Sequence, residues 1–119
     1  MQLITKAIEA KLRRNHAKTA ICRTRVHDDE YDHMPVLKLF SPWGANTWLI
    51  TEIADDGDTM FGLCDLGMGS PELGYVSLSE LKSVRGLFGL GIERDLHFKA
   101  DMTISQYAAE ARAKGRIAA

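Results

Sequence analysis

The chain has 119 residues, of which 45% are hydrophobic and 26% charged, and this composition predicts one folded domain with a single core. No apolar run approaches the roughly 20 residues of a membrane span, and the charged start of the chain is unlike a signal peptide, so we expect a cytoplasmic protein without a membrane partner. Cys22 and Cys64 lack the paired spacing of zinc or redox motifs. We predict neither a metal nor a cofactor.

The net charge of −1 conceals an uneven distribution of charge along the chain. Residues 1–26 carry seven Lys/Arg and one acid, whereas residues 27–82 carry eleven Asp/Glu and two Lys. The basic segment is compatible with three interpretations: contact with phosphates, a solvated face folded onto the protein's own acidic middle, or contact with an acidic protein. The candidate nucleic-acid contacts are Lys11, Arg13, Arg14, Lys18, Arg23 and Arg25.

Residues 1–35 are predicted to form a basic amphipathic helix followed by a polar connection. After the helix, weak patterning up to Pro35 predicts a long connection with a short strand around Ala20–Val26. Within it, His27–His33 contains two His and four acids, residue types that can bind divalent metals. Their spacing matches no known coordination loop, so we favour a solvated acidic segment. The apolar helix face comprises Leu3, Ile4, Ala7, Ile8 and Leu12.

Residues 36–98 have the pattern of a sheet. The segments Val36–Phe40 and Thr47–Ile53 have strand composition, and the Asp-Gly pair in ADDGD predicts a hairpin turn before TMFGLCDL returns antiparallel. Strict alternation along the second strand would place Trp48, Ile50 and Glu52 on one face. We therefore expect a meander.

Two capping boxes predict the later helices. Ser77 with Glu80 predicts a short helix, and Thr103 with Gln106 predicts a longer C-terminal helix. Between them, the alternation of Ile92–Phe98 predicts a half-buried strand.

These elements predict an α+β fold for a single domain, residues 1–119. We expect an antiparallel meander of four to five strands, with the N-terminal and C-terminal helices on one face and the short capped helix as a crossover between strands. The domain divides into the basic helix and connection (1–35), the sheet core (36–98) and the C-terminal helix (99–119). The predicted core residues are Trp48, Ile50, Phe61, Leu63, Val76, Leu81, Leu96 and Phe98.

Several motifs of the sheet region resemble a known family. The chain is similar to the domain of unknown function 2958 (DUF2958) family over roughly residues 36–98, about half of its length. The resemblance implies a small bacterial protein of plasmids, phages and other mobile elements, and it brings no activity or catalytic residue with it. The motifs are KLF (38–40), TW and TE (47–52), FGL (61–63), ELGYVSLSEL (72–81) and RGLFGLGIERDLHF (85–98).

A second group of polar and aromatic residues forms a candidate ligand or partner surface. If the meander brings them together, their carboxylates and arginines could perform acid/base chemistry or hold a ligand. An ion-pair network that fixes the sheet register is the simpler interpretation, because Glu93, Arg94 and Asp95 alternate faces. The glycine string RGLFGLG lacks the ending of a phosphate-binding loop. The candidates are Trp43, Glu52, Glu72, Tyr75, Arg85, Arg94 and Asp95.

Two classes of function stay open. The favoured one is a small non-enzymatic binding or accessory protein of a mobile element, acting through a charged surface on a protein or nucleic-acid partner. This class includes a counter-defence role in which the acidic middle mimics DNA. The alternative is a small hydrolase-type enzyme that uses Glu52, Glu72 or Asp95 with Arg94. An enzyme needs a concave pocket with converging carboxylates, whereas a binding protein needs only a charged or aromatic face.

Overall fold

The computed structural model describes residues 2–23 and 32–119, except for the side chain of Arg23. These residues form three α-helices and a five-stranded antiparallel sheet, which confirms the predicted α+β meander. The sheet order is β4-β3-β2-β1-β5. The helices are α1 (Lys6–Arg23), α2 (Leu78–Ser83) and α3 (Ile104–Lys114), and the strands are β1 (Leu37–Phe40), β2 (Thr47–Ile53), β3 (Thr59–Asp65), β4 (Glu72–Ser77) and β5 (Glu93–Arg94). None of the helices in the described ranges is long and apolar enough to cross a bilayer.

The β2–β3 hairpin turns where ADDGD predicted it. Gly57 has φ +71, a conformation that side-chain-bearing residues rarely adopt. The carboxylate of Asp56 accepts hydrogen bonds from the backbone N–H groups of Asp58 and Thr59, both at 2.8 Å. These bonds fix the acidic turn at one end of the sheet.

The connection from β4 to β5 crosses the whole sheet, because these strands are its two edges. It starts with α2, where the Ser77 hydroxyl accepts a 3.2 Å hydrogen bond from the N–H of Glu80, which confirms the half of the predicted capping box that Ser77 supplies. The helix ends at Ser83, before Gly86. The ring of Trp43 lies so close to Gly86 that an added Cβ would be 2.1 Å from it. Trp43 is consequently half-buried rather than on an open surface.

Two hydrophobic clusters lie on opposite faces of the sheet. The expectation that α1 and α3 share one face is wrong, since neighbouring residues of β2 point to opposite sides. One cluster joins α1 and α2 to β1, β2 and β3, whereas Leu49 and Leu63 pack with α3. The first cluster contains Leu3, Leu12, Leu37, Leu39, Trp48, Ile50, Ile53, Met60, Leu78, Leu81 and Ile92.

A bulge in β2 changes the predicted alternation. The register with β3 shifts between Ile50 and Glu52, so Glu52 lies opposite Phe61, and Ile53 lies opposite Met60. One extra residue reverses the side-chain order of the strand from that point. Ile53, and not Glu52, therefore continues the face of Ile50, while Glu52 shares a face with Phe61.

The structure corrects two further predictions. Helix α1 extends to Arg23, so residues 20–23 are helical and belong neither to the predicted strand Ala20–Val26 nor to the polar connection. Residues 24–26 of that predicted strand lie outside the described residues. Strand β5 contains only Glu93–Arg94, and Leu96 beyond it is 63% exposed rather than in the core. After α3, the N–H of Ile117 donates a 2.9 Å hydrogen bond to the buried carboxylate of Asp65, which attaches the end of the chain to β3.

The other predicted core residues fall into two groups. Trp48, Ile50, Leu63 and Leu81 are buried. Phe61, Val76 and Phe98 are half-buried.

The N-terminus of α3 is held by residues that precede β1. The predicted box of Thr103 and Gln106 is present. In addition, the carboxylate of Asp32 accepts hydrogen bonds from the backbone N–H and the hydroxyl of Ser105. Burial opposes ionisation of Asp32, but the bonds from Ser105 outweigh it and lower the pKa of Asp32. The segment 32–33 thus attaches α3 to the sheet, a structural role for part of the acidic HDDEYDH stretch.

Candidate functional site

Helix α1 presents a row of cations on one face. Lys11, Arg14 and Lys18 follow the spacing i, i+3, i+7, which places them on adjacent turns. Their side chains are exposed, and so is that of Lys99, which precedes α3 in the chain. All four line one surface depression of about 510 Å³, which we call the basic groove.

Among the described residues, no carboxylate compensates the positive charge of the basic groove. None of the described residues that line it is an Asp or Glu. Within residues 2–23 and 32–119, none of the four cations forms an ion pair with a carboxylate. Exposed Lys and Arg side chains without such partners are available for anions. The remaining lining residues are Asn15, His33, Met34, Pro35, Val36, Phe98 and Ala100.

His33 lies in the wall of the groove but adds little charge. Burial of the ring lowers the pKa of His33 from its ordinary value, and this effect exceeds the opposite influence of Glu52. Lys18 lowers the pKa further. The groove's positive charge at neutral pH therefore comes from its Lys and Arg side chains.

The other basic candidates are placed differently. Arg13 lies 3.6 Å from the carboxylate of Glu9, and its guanidinium is adjacent to Gly57 in the acidic β2–β3 turn. Arg23 is the last residue of α1, and Arg25 lies outside the described residues. Of the six candidates, the structure brings Lys11, Arg14 and Lys18 together.

The second candidate surface is not assembled as one site. Glu72 and Tyr75 belong to β4, whereas Arg94 belongs to β5 at the opposite edge. Asp95 follows β5 and forms a 3.4 Å ion pair with Lys38. The four residues of the hydrolase alternative therefore do not converge.

The remaining members of that surface occupy two separate places. The Arg85 guanidinium donates hydrogen bonds to the carbonyls of Lys82 and Val84 at 2.8 and 2.7 Å, which fixes it at the end of α2. Glu52 and Tyr75 line a small cavity beside α1. Arg94 and Asp95 line a different depression of about 230 Å³, which contains no other member of this surface.

The family of the chain is given by a comparison of its sequence with family models. Residues 3–118 match the family described as Protein of unknown function (DUF2958). The chain belongs to the DUF2958 family. The match includes the basic helix and α3, well beyond the motifs that first indicated it. Searches among curated proteins and among solved structures found no match.

Much of the acidic middle of this DUF2958 protein serves its own fold. Glu52 and Asp65 are buried, and Asp65 accepts hydrogen bonds from the N–H groups of Gly67 and Ile117. Asp58 accepts bonds from Ser77 and from the Ser79 N–H. Burial removes Glu52 and Asp65 from any acidic surface, whereas Asp58 stays partly exposed.

Sequence reasoning missed two features of the candidate sites. Lys99 is a single cation far from the basic segment in sequence, and no local pattern singles it out. The Thr19 hydroxyl donates a 2.9 Å hydrogen bond to Glu52, and Nδ1 of His16 lies 3.5 Å from the same carboxylate. These contacts were missed because the chain was expected to leave the helix for a polar connection. The buried residues Leu12, Thr19 and Cys22 follow the helical spacing i, i+7, i+10, but the sequence signal is weak because Thr19 is polar.

Proposed function

We propose that this DUF2958 protein is a small non-enzymatic accessory protein that binds nucleic acid through the basic groove. The observation that carries the proposal is the convergence of Lys11, Arg14 and Lys18 from α1 with Lys99, in a groove whose described lining contains no carboxylate. The mobile-element setting that the resemblance implies belongs to this proposal. The separation of Glu72 and Arg94 at opposite sheet edges gives no support to a hydrolase.

Phosphate contact explains why cations are grouped here without acids among the described lining residues. Each phosphate that a Lys or Arg neutralises releases condensed counterions, so affinity falls with salt. Four contacts would give a slope of log affinity against log salt of about −3.6 for duplex DNA and about −2.8 for a single strand. The small net charge of −1 means that the attraction is local to the groove.

The test is fluorescence anisotropy with labelled single-stranded and double-stranded DNA and RNA, measured at low and near-physiological salt. The groove variant carries Lys11→Gln, Arg14→Gln, Lys18→Gln and Lys99→Gln. A control variant carries Lys82→Gln, Arg112→Gln, Lys114→Gln and Arg116→Gln, all at exposed positions. It also loses four positive charges, so its net charge equals that of the groove variant.

We expect salt-sensitive binding that weakens by more than about tenfold in the groove variant and by much less in the control. Absence of binding at low salt, or equal loss in both variants, would contradict the proposal. Polyglutamate binding to the groove in the absence of nucleic-acid binding would instead indicate an acidic protein partner.

A further inference from the structure

A second cavity, separate from the basic groove, lies between the C-terminal half of α1 and strands β2, β3 and β4. Its volume is about 100 Å³, and it shares no lining residue with the groove. The lining residues are His16, Thr19, Ala20, Glu52, Ala54, Thr59, Phe61 and Tyr75.

The carboxylate of Glu52 gives this cavity its chemistry. The side chain is only 9% exposed, and one oxygen, Oε2, accepts a 2.9 Å hydrogen bond from the Thr19 hydroxyl. The other oxygen, Oε1, has a longer contact of 3.5 Å with Nδ1 of His16. Within the described residues, no Lys or Arg pairs with Glu52. A buried carboxylate is ordinarily paired with a cation. Since the contact of Oε1 with His16 is as long as 3.5 Å, this oxygen can accept a shorter hydrogen bond from a further donor.

Aromatic rings form the wall opposite α1. The centroids of Phe61 and Tyr75 are 5.2 Å apart with the rings inclined at 60°. Tyr75 is 65% exposed, a high value for an aromatic side chain. Its ring is therefore accessible at the mouth of the cavity, where π-electron faces attract cations.

The surroundings of the mouth are acidic as well. Thr59 lines the cavity, and its hydroxyl donates a 2.6 Å hydrogen bond to Asp56. This bond, with the backbone bonds from Thr59 and Asp58, lowers the pKa of Asp56 to about 2, so the carboxylate is charged at neutral pH. Arg13 lies nearby and offsets part of this charge.

These features select the class of ligand by elimination. An anion would be repelled by Glu52, and an apolar group would bury its carboxylate without a partner. The described residues contain no group of three His, Cys, Asp or Glu placed to hold a metal ion. A volume of about 100 Å³ is well below that of a cavity for a whole small molecule, so only a head group can enter.

We propose that this cavity binds the guanidinium group of an arginine side chain, with Glu52 as its counter-ion and the rings of Phe61 and Tyr75 as its wall. A planar guanidinium can stack on an aromatic ring while donating to a carboxylate, which an ammonium group does less well. The remainder of the arginine-bearing peptide would lie outside the mouth, beside the edge strand β4. This proposal does not depend on the function of the basic groove.

The test is a titration of the full chain in which two-dimensional NMR spectra of its backbone amides are recorded at each ligand concentration. The probes are N-acetyl-arginine amide, the lysine analogue and the citrulline analogue, which has the shape of arginine without its charge. We expect saturable shifts centred on Glu52, Phe61 and Tyr75 with arginine, weaker ones with lysine and none with citrulline. Equal shifts with citrulline, or no saturable shift with arginine, would overturn the proposal.

Variants assign the binding to the cavity. Glu52→Gln keeps the shape of the side chain and is expected to weaken arginine binding by about tenfold or more. Glu80→Gln, at an exposed position on α2, should leave it unchanged. If Glu52→Gln fails to fold, Tyr75→Leu decides, because Tyr75 is exposed and lies outside the Glu52 hydrogen bonds. Unaltered arginine affinity in a folded Glu52→Gln or Tyr75→Leu protein would refute the site.

Discussion

The hydroxyl of Thr19 in α1 donates a 2.9 Å hydrogen bond to Oε2 of Glu52 in β2. The same Thr19 oxygen is 3.0 Å from Nε2 of His33. Because a hydroxyl has one proton and Thr19 directs it to Glu52, His33 must donate through Nε2. Nearby, the Asn15 amide donates a 2.9 Å bond to the carbonyl of Thr51, just beyond the residues that β1 pairs. Polar contacts thus join α1 to β2 where β1 ends.

Replacing Thr19 should show how much this contact stabilises the fold. Thr19→Val keeps the shape of the side chain but leaves the buried Oε2 of Glu52 without its donor. We expect the free energy of unfolding to fall by about 1–3 kcal/mol, measured by urea denaturation. Thr19→Ser retains the hydroxyl and should lose much less. A Thr19→Val protein as stable as the wild type would contradict the prediction, and a loss in Thr19→Ser as large as that in Thr19→Val would show that the methyl group contributes as much as the hydrogen bond.

Gly62 is required by the close approach of β2 to β3. A Cβ at this position would lie 1.9 Å from the Leu49 carbonyl oxygen, which is backbone and cannot move aside. Gly62→Ala should therefore destabilise the protein by about 1–3 kcal/mol or more. Gly74, on the neighbouring strand, has open space around its added Cβ, so Gly74→Ala serves as the control and should change stability by less than about 1 kcal/mol. Thermal melting of both variants checks the prediction.

Stability should decline as the solution is made mildly acidic, because of His33. Burial, the largest effect, lowers the pKa of His33 below its ordinary value of 6.5, while Glu52 and Asp32 raise it and Lys18 lowers it. The unfolded chain then takes up the proton first, so stability is greatest above pH 6.5 and falls as the pH decreases towards the folded-state pKa.

The measurement is urea denaturation of wild type and His33→Gln between pH 7.5 and 5.5. The glutamine amide can still donate to Thr19 but does not titrate in this range, so its stability should change less with pH. A pH dependence as steep in the variant as in the wild type would assign the effect to other groups.

Phe88 occupies a strained backbone conformation. Its φ is +60, and its side chain is 90% exposed, so little packing offsets the cost of roughly 1–2 kcal/mol for a left-handed residue. We expect Phe88→Gly to raise the free energy of unfolding by about 1 kcal/mol, seen as a higher melting temperature. Leu87→Gly, at the preceding exposed position, relieves no such strain and should not stabilise the protein. A lower melting temperature for Phe88→Gly would mean that the phenyl ring makes a stabilising contact.

Local sequence signals predicted the elements that depend on neighbours in the chain. The Asp-Gly turn at Gly57 and the caps at Ser77 and Thr103 each satisfy backbone groups a few residues away, and all three form where expected. The length of α1 was not predicted, because its polar residues after Leu12 show little periodicity. The docking of that segment against β2, through Asn15 and Thr19, compensates for the weak pattern.

The candidate sites depended on contacts that no local pattern contains. The basic segment indicated three of the groove cations, but Lys99 joins them only because the chain returns to α1 before α3. Glu52 was a candidate from its residue type alone, whereas the bulge at Ile50–Glu52 and the approach of α1 placed it in a cavity with Tyr75. The sequence by itself determined the fold class, the turns and the caps, since short-range hydrogen bonding and alternation specify them. Only the tertiary structure decided which distant side chains meet, because strand order and register arise from packing across the whole sheet.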